Sequence, residues 1–433
     1  MTCSRNGLYG AAYKIIFLSL LGQCSAIADE KNFLNYFDSS LALSIEAAVD
    51  ENTMQKTELI IMPEINVDLS NANRLTAIAR LRADAQENID PNNQTEGELH
   101  EFYWETSISR TLLTLGKQQI VWGKADGLKV LDVVNPQDYR EFILDEFSHS
   151  RIPIWSLNAE LPIGDSTLQF IWLPDQTYHK FAKSNGLYAF TSSNIIPKPP
   201  PGAQLERKGL DEPGNRLTDS DVGFRYSTFM NGWDLTLNYL YHYVDTPVLF
   251  RQLITTNEGL KISISPSYER SHLVGGTFSN AFGELTLRGE VGYSFKRYVS
   301  TNDSKDTDGV IQTDELAYVL GLDWYGISNS LLSVQLFQSH LLEGDRNLIQ
   351  DKTDTTITAL MKREFMNDTL SSELLWLHNL NADDGLLRPK ITYNVNDEIK
   401  WWFGLDVFYG DSNGLFGQFN EQDRIVSGIE ITI

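Results

Sequence analysis

The 433-residue sequence predicts an all-β fold: a transmembrane antiparallel up-and-down β-barrel of about 18 strands, with 16 as the alternative count. Three observations predict it. Apolar residues recur at every second position along most of the chain, the period of a strand with two unlike faces. Tight turns and long connections alternate without exception. Aromatic residues are abundant, with 21 Phe, 18 Tyr and 9 Trp, yet past the N-terminus no apolar run is long enough for a helical span.

Residues 1–28 read as a secretory signal. Arg5 and Lys14 give a basic start, 15–21 a short apolar core, and Ala26-Ile27-Ala28 a small-x-small cleavage site. Gln23 precedes Cys24 where lipidation would want a small residue, so ordinary cleavage is the expectation. Both cysteines, Cys3 and Cys24, leave with the signal, and residues 29–433 form a single cysteine-free barrel domain. A disulfide scaffold, a thiolate metal site and a cysteine nucleophile are thereby excluded. The signal holds two basic residues and no acidic ones, so cleavage takes the formal charge from −23 to −25. That balance excludes nucleic acid as a partner, which needs a basic face.

The strand signal is clearest in four segments. Within 233–244, Leu235, Leu237, Tyr239, Tyr241 and Tyr243 share one face against Asp234, Thr236, Asn238 and His242. Within 284–296, Leu285, Leu287, Val291 and Tyr293 oppose Arg288, Glu290 and Lys296. Within 399–409, Trp401, Phe403, Leu405 and Val407 oppose Lys400 and Asp406. Within 75–84, Leu75, Ala77, Ala79 and Leu81 oppose Arg80, Arg82 and Asp84. A secreted β-sandwich would alternate too, with its apolar face in the core, so the connections have to discriminate.

Short turns fall at 70–73, 107–110, 164–165, 231–232, 282–283, 326–329, 367–368 and 396–397. Asn231-Gly232 is the strongest hairpin dipeptide among them. Longer connections lie between, at 50–56, 86–98, 124–153, 176–220, 245–259, 301–314, 342–352 and 410–422, with a short one at 382–385. Tight turns on the periplasmic side and long loops outside mark an outer-membrane barrel with both termini periplasmic. The closing strand alternates Ile425, Ile429, Ile431 and Ile433, and ends in Ile433 where such barrels usually end in an aromatic residue.

The third connection, 124–153, is too apolar for a disordered linker, with Leu128, Val130, Leu131, Val133, Val134, Phe142, Ile143 and Leu144. It also carries Lys124, Asp126, Lys129, Asp132, Asp138, Arg140, Glu141, Asp145, Glu146 and Arg151. The expectation is a loop folded into the lumen, its apolar side on the wall and its charges lining a pore constriction. A cap over the mouth is the alternative. Acidic members outnumber the always-cationic ones, which predicts a mild cation preference. By strand parity the lumen wall presents Arg80, Arg82, Arg225, Asp234, Arg288, Glu290, Arg388, Lys390 and Lys400.

Gly116, Lys117, Gln118, Ile120, Trp122 and Gly123, followed by Asn135 and Pro136, resemble the strand-to-loop signature of a proteobacterial outer-membrane family catalogued as a domain of unknown function. The match is local, over 116–136. The resemblance implies a porin-like barrel, with efflux-pump or periplasmic lipid-binding-type partners. A more distant likeness is to alginate-export barrels, whose pores are rich in arginine.

Three further features stand out in the sequence. Asp306, Asp308 and Glu315, with Ser304 and Gly309, have the spacing of a calcium loop, although no helix precedes them; the other reading is an acidic outer loop. Pro197, Pro199, Pro200 and Pro201 stiffen the 176–220 loop. The seven histidines are scattered and no nucleophile elbow, His-Glu-x-x-His helix or phosphate loop occurs, so no catalytic residue is assigned. The sequence thus predicts an outer-membrane channel, in contact with outer-membrane lipid and lipopolysaccharide, passing small or amphipathic solutes, as part of an export system or alone. An enzyme on a barrel scaffold, or a secreted β-sandwich binding module, is the alternative function.

Overall fold

The computed structural model describes residues 37–433, apart from 51–52, 71, 197, 258, 304–305 and 343–346. The signal reading of 1–28 and Ser304 and Pro197 lie outside the described residues.

Eighteen strands form one sheet. In chain order they are Phe37–Val49, Met54–Ser70, Asn73–Asp84, Thr95–Ile108, Thr111–Gln118, Ile154–Ile163, Ser166–Leu173, Asp221–Met230 and Trp233–Tyr243. Arg270–Phe282, Leu285–Ser300, Val310–Trp324, Ser330–Leu341, Thr353–Phe365, Leu370–Asn379, Asp384–Asn394, Ile399–Tyr409 and Arg424–Thr432 complete it. Each pairs antiparallel with its neighbour, and the last strand returns to the first, with Ala42 opposite Thr432 and Val49 opposite Ile425. Closure leaves no free edge in this sheet.

The direction of the faces decides between barrel and sandwich. On Trp233–Tyr243, Leu237 is 61% exposed while its neighbour Asn238 is 1% exposed. Leu320, Leu322, Val334, Ile391 and Phe403 likewise face outward, whereas Gln335, Thr358 and Asp406 face in and are buried. A sandwich hides its apolar faces; here they are the outside. Phe229, Phe282, Trp324, Phe365, Tyr393 and Trp401 ring the short-turn end on the outer surface, as an interfacial aromatic belt does.

The turns form because their residues accept positive φ: Asn231 at 53°, Asn367 at 54° and Asp368 at 65°. At the other end the connections depart from the expected boundaries in three places. The first is only 50–53, since Val49 pairs with Met54 across it. The fifth contains a hairpin of its own, Val248–Thr256 with Gly259–Ser267, extended by Gln204–Arg207 from the preceding loop. Its alternation resembles that of a wall strand, which is why the sequence places a barrel strand there ten residues early. The wall strand Thr111–Gln118 ends before Trp122, because the Asn135 side chain takes the Ile120 amide and turns the chain inward.

Candidate functional site: the loop that crosses the lumen

Residues 119–153 leave the wall after Gln118 and return at Ile154. The neck is built on the family-like motif. Gly116 has φ of 135°, and a Cβ there would lie 2.1 Å from the Phe102 carbonyl oxygen, so only glycine passes. Asn135 is fully buried; it accepts the Ile120 N–H (2.7 Å) and donates to the carbonyls of Ile152 (2.9 Å) and Gln118 (3.3 Å). Trp122 is also fully buried and donates its indole N–H to Gln169 at 2.9 Å. Gly123 passes against the backbone of Asp132, where a Cβ would find 2.9 Å. One motif thus fixes both ends of the inward turn.

Two apolar clusters seat the loop. Ile120, Trp122, Leu131 and Val134 pack on wall residues Ile154, Ile171, Leu173, Leu240 and Leu273. On the other side Phe142 and Leu144 join Leu377, Leu386 and Phe408 of the wall, with Ile89, Tyr188, Phe416 and Phe419 from three other long loops. Burial of this many large side chains, at roughly 1.5–3 kcal/mol each, holds the loop more firmly than any one polar contact does.

Polar contacts then fix its register. Glu290 accepts the backbone amides of Lys124 and Leu131, the latter at 3.1 Å. Arg288 pairs with Asp126 and Asp323, and Asp234 pairs with Lys124. Arg225 donates to the Val121 carbonyl at 3.1 Å. Arg388 donates to the carbonyls of Leu144 (2.7 Å) and Ile143 (3.3 Å), while Lys390 pairs with Glu146 at 3.0 Å. Most of the wall charges read from strand parity therefore grip this loop. Lys400 pairs with Glu430 (3.0 Å) of the adjacent strand instead.

Glu141 has the densest surroundings. Its carboxylate, 3% exposed, receives Lys56 Nζ (2.7 Å), Arg424 Nη1 (3.1 Å) and Arg82 Nη2 (3.4 Å). Burial alone would raise its pKa; the three cations hold it well below the ordinary carboxylate range. Asp145, four residues on, gains no such partner. Burial and then the charge of Glu141 push it up to about 7. His149 is held below its ordinary value by burial, so its imidazole is neutral at pH 7.

The remaining loop charges are matched in place. Asp132 takes Arg151 (2.9 Å) and Lys129 (3.5 Å). Asp138 pairs with Arg140, which also reaches Asp90 and Glu96 at 2.9 Å each. The expected division of labour, apolar side on the wall and charges in the opening, is thus half reversed. Wall residues take up half of the charges, the loop pairs most of the others within itself, and apolar residues reach the open space.

That space is two cavities of about 490 Å³ each. The strand Thr353–Phe365 shows how they are stacked. Asp354 and Thr356 line the cavity nearer the long loops, Thr358 packs against Gly127, and Leu360 lines the cavity nearer the short turns. The outer cavity is mostly apolar and aromatic, with Leu128, Val130, Tyr139, Phe142, Phe181 and Phe190. The inner one mixes ions with Leu360, Leu375, Leu377 and Trp402. Ile143 lines both, so the loop is the partition between them.

A family described as "Protein of unknown function (DUF1302)" matches residues 34–394. The chain belongs to this family. Among solved structures, OccK1 (OpdK) of Pseudomonas aeruginosa matches at 10% identity and TM-score 0.55, covering 93% of this chain and 100% of its own. A BenF-like porin from Pseudomonas fluorescens matches at 10% identity and TM-score 0.54, with 93% and 100% coverage. OccAB3 of Acinetobacter baumannii gives 10% and 0.53, over 92% and 99%. These similarities concern the fold. Curated protein sequences yield no match.

In this family member, two sequence readings need correction. Asp306, Asp308 and Glu315 do not converge. Asp306 accepts the amides of Asp308 (3.2 Å) and Gly309 (2.6 Å), forming a turn. Glu315 instead points into the outer cavity, held by Arg297 and Ser339. Among the described residues no group of three acids or histidines is placed to hold a metal. Second, a bulge between Ser294 and Arg297 shifts the register, so Arg297 lines the cavity where parity assigns Lys296. Sequence reading also missed Glu46, Lys56 and Glu58. The parity of Met54–Ser70, on which Lys56 and Glu58 sit in step with Glu64, carries that signal.

Proposed function

We propose that the protein is an outer-membrane channel for small amphipathic solutes, with its long loops outside the cell and its termini in the periplasm. The carrying observation is the partition. A loop anchored around the lumen leaves an apolar cavity above and a mixed cavity below, meeting at Ile143. An apolar junction resists the passage of hydrated ions and accepts molecules that shed water readily. The belt of outward apolar and aromatic residues supports the membrane setting.

Purified protein inserted into planar lipid bilayers tests the reading. Discrete openings of low conductance and weak charge selectivity are expected, since the wall cations balance the loop carboxylates. A folded, inserted barrel that passes neither ions nor small amphipathic solutes overturns it.

A further inference from the structure

The inner cavity contains a cation that none of the described neighbours pairs with. Arg82, Arg288, Arg388 and Arg424 each hold at least one carboxylate. Arg80 stands two residues before Arg82 on the same face of the same strand and lines the cavity. Among the described residues its guanidinium has no hydrogen-bond or ion-pair partner. Its cross-strand neighbour is Glu98, which turns instead to His100 at 3.3 Å. The nearby acids are also engaged, Glu430 with Lys400 and Glu146 with Lys390, both at 3.0 Å. His149 lines the same cavity as a neutral hydrogen-bonding group.

Guanidinium is the side chain best shaped for two parallel hydrogen bonds to a carboxylate. Leu360, Leu375 and Ile143 supply apolar wall in the same cavity. Glu373 lines it too, across the ladder from Lys390, whose ammonium is already held by Glu146. The geometry points to a subsite for the headgroup of an organic monocarboxylate: Arg80 receives the carboxylate, His149 assists, and the apolar body lies toward Ile143. This rests on the channel reading and names its substrate class. A volume of about 490 Å³ is within the range of pockets that hold small organic ligands.

The test uses 3-phenylpropionate and its uncharged amide on the full-length protein, with Arg80→Gln and Arg80→Lys variants. In planar bilayers the half-blocking concentration of the anion should rise about tenfold in Arg80→Gln, as expected for loss of one charge-assisted contact. Arg80→Lys should recover part of it, and block by the amide should not change. Equal block by anion and amide, or an unchanged Arg80→Gln, overturns the subsite and leaves a solvated arginine. If the wild type conducts nothing, the channel reading fails on its own. Calorimetric binding of the anion to wild type and Arg80→Gln in detergent then decides the subsite separately. Heat-modifiable gel migration confirms that each variant is a folded barrel.

Discussion

Replacing Glu141 by Gln should release the middle of the lumen-crossing loop without unfolding the barrel. In the wild type one carboxylate answers Lys56 and Arg424, which are 1% and 4% exposed, and reaches Arg82 as well. The amide keeps the shape and one acceptor but leaves those cations short of a charge. Removing one partner of a buried ion pair costs about 3–5 kcal/mol. Asp406 and Glu58 still serve Arg424 and Arg82, which places the effect at the lower end, about 3 kcal/mol. At 1.4 kcal/mol per decade, that shifts the docked-to-released ratio of 139–146 by about two powers of ten. Single-channel recording is the assay: larger openings with more open-channel noise are expected. Heat-modifiable migration should stay as in the wild type, because the neck at Asn135 and the clamp at Glu290 are untouched. Identical conductance and noise in a folded Glu141→Gln barrel would refute the view that this network holds the partition.

Two further outcomes are expected. Asn135→Ala leaves the Ile120 amide and the carbonyls of Gln118 and Ile152 without their partner. At about 1–3 kcal/mol per buried group, protease cleavage within 119–153 should accelerate at least a hundredfold; a rate equal to the wild type would remove Asn135 as the neck. For Asp145, a folded pKa raised to about 7 means the ionised form is penalised on docking. The penalty is absent below the ordinary value of 3.8, grows with pH, and is complete above about 7. At 1.36 kcal/mol per unit its ceiling is about 4 kcal/mol, and cavity water reduces it to about 1–2 kcal/mol. Asp145→Asn should therefore protect the loop from protease at pH 8 and match the wild type near pH 4. A difference that does not vary with pH would count against it.

Strand number was legible because turn chemistry is local. Asn231 and the 367–368 pair announce their turns whatever surrounds them. The small sheet made by 248–256, 259–267 and 204–207 was not, since alternation marks a strand but not the sheet it joins. At the candidate site, parity placed Arg288, Glu290 and Arg388 on the inner face. It could not show that they hold a loop more than 150 residues away in sequence. The calcium-like spacing failed for the same reason: Glu315 is claimed by Arg297 and Ser339, a contact that no local pattern encodes. Residues 116–136 were the exception, because the neck closes on itself within twenty residues.

The placement of Glu141 also orders assembly. Its counter-ions come from Met54–Ser70, Asn73–Asp84 and Arg424–Thr432, and Glu46 of Phe37–Val49 shares Lys56 with it. The first and last strands meet between these elements. A loop that emerges after the fifth strand must therefore wait for one made 283 residues later before its ion network is complete. The network is therefore complete only when the strand that closes the cylinder is in place. Once locked, the loop acts as a latch across the seam, tying the two ends of the chain together from within.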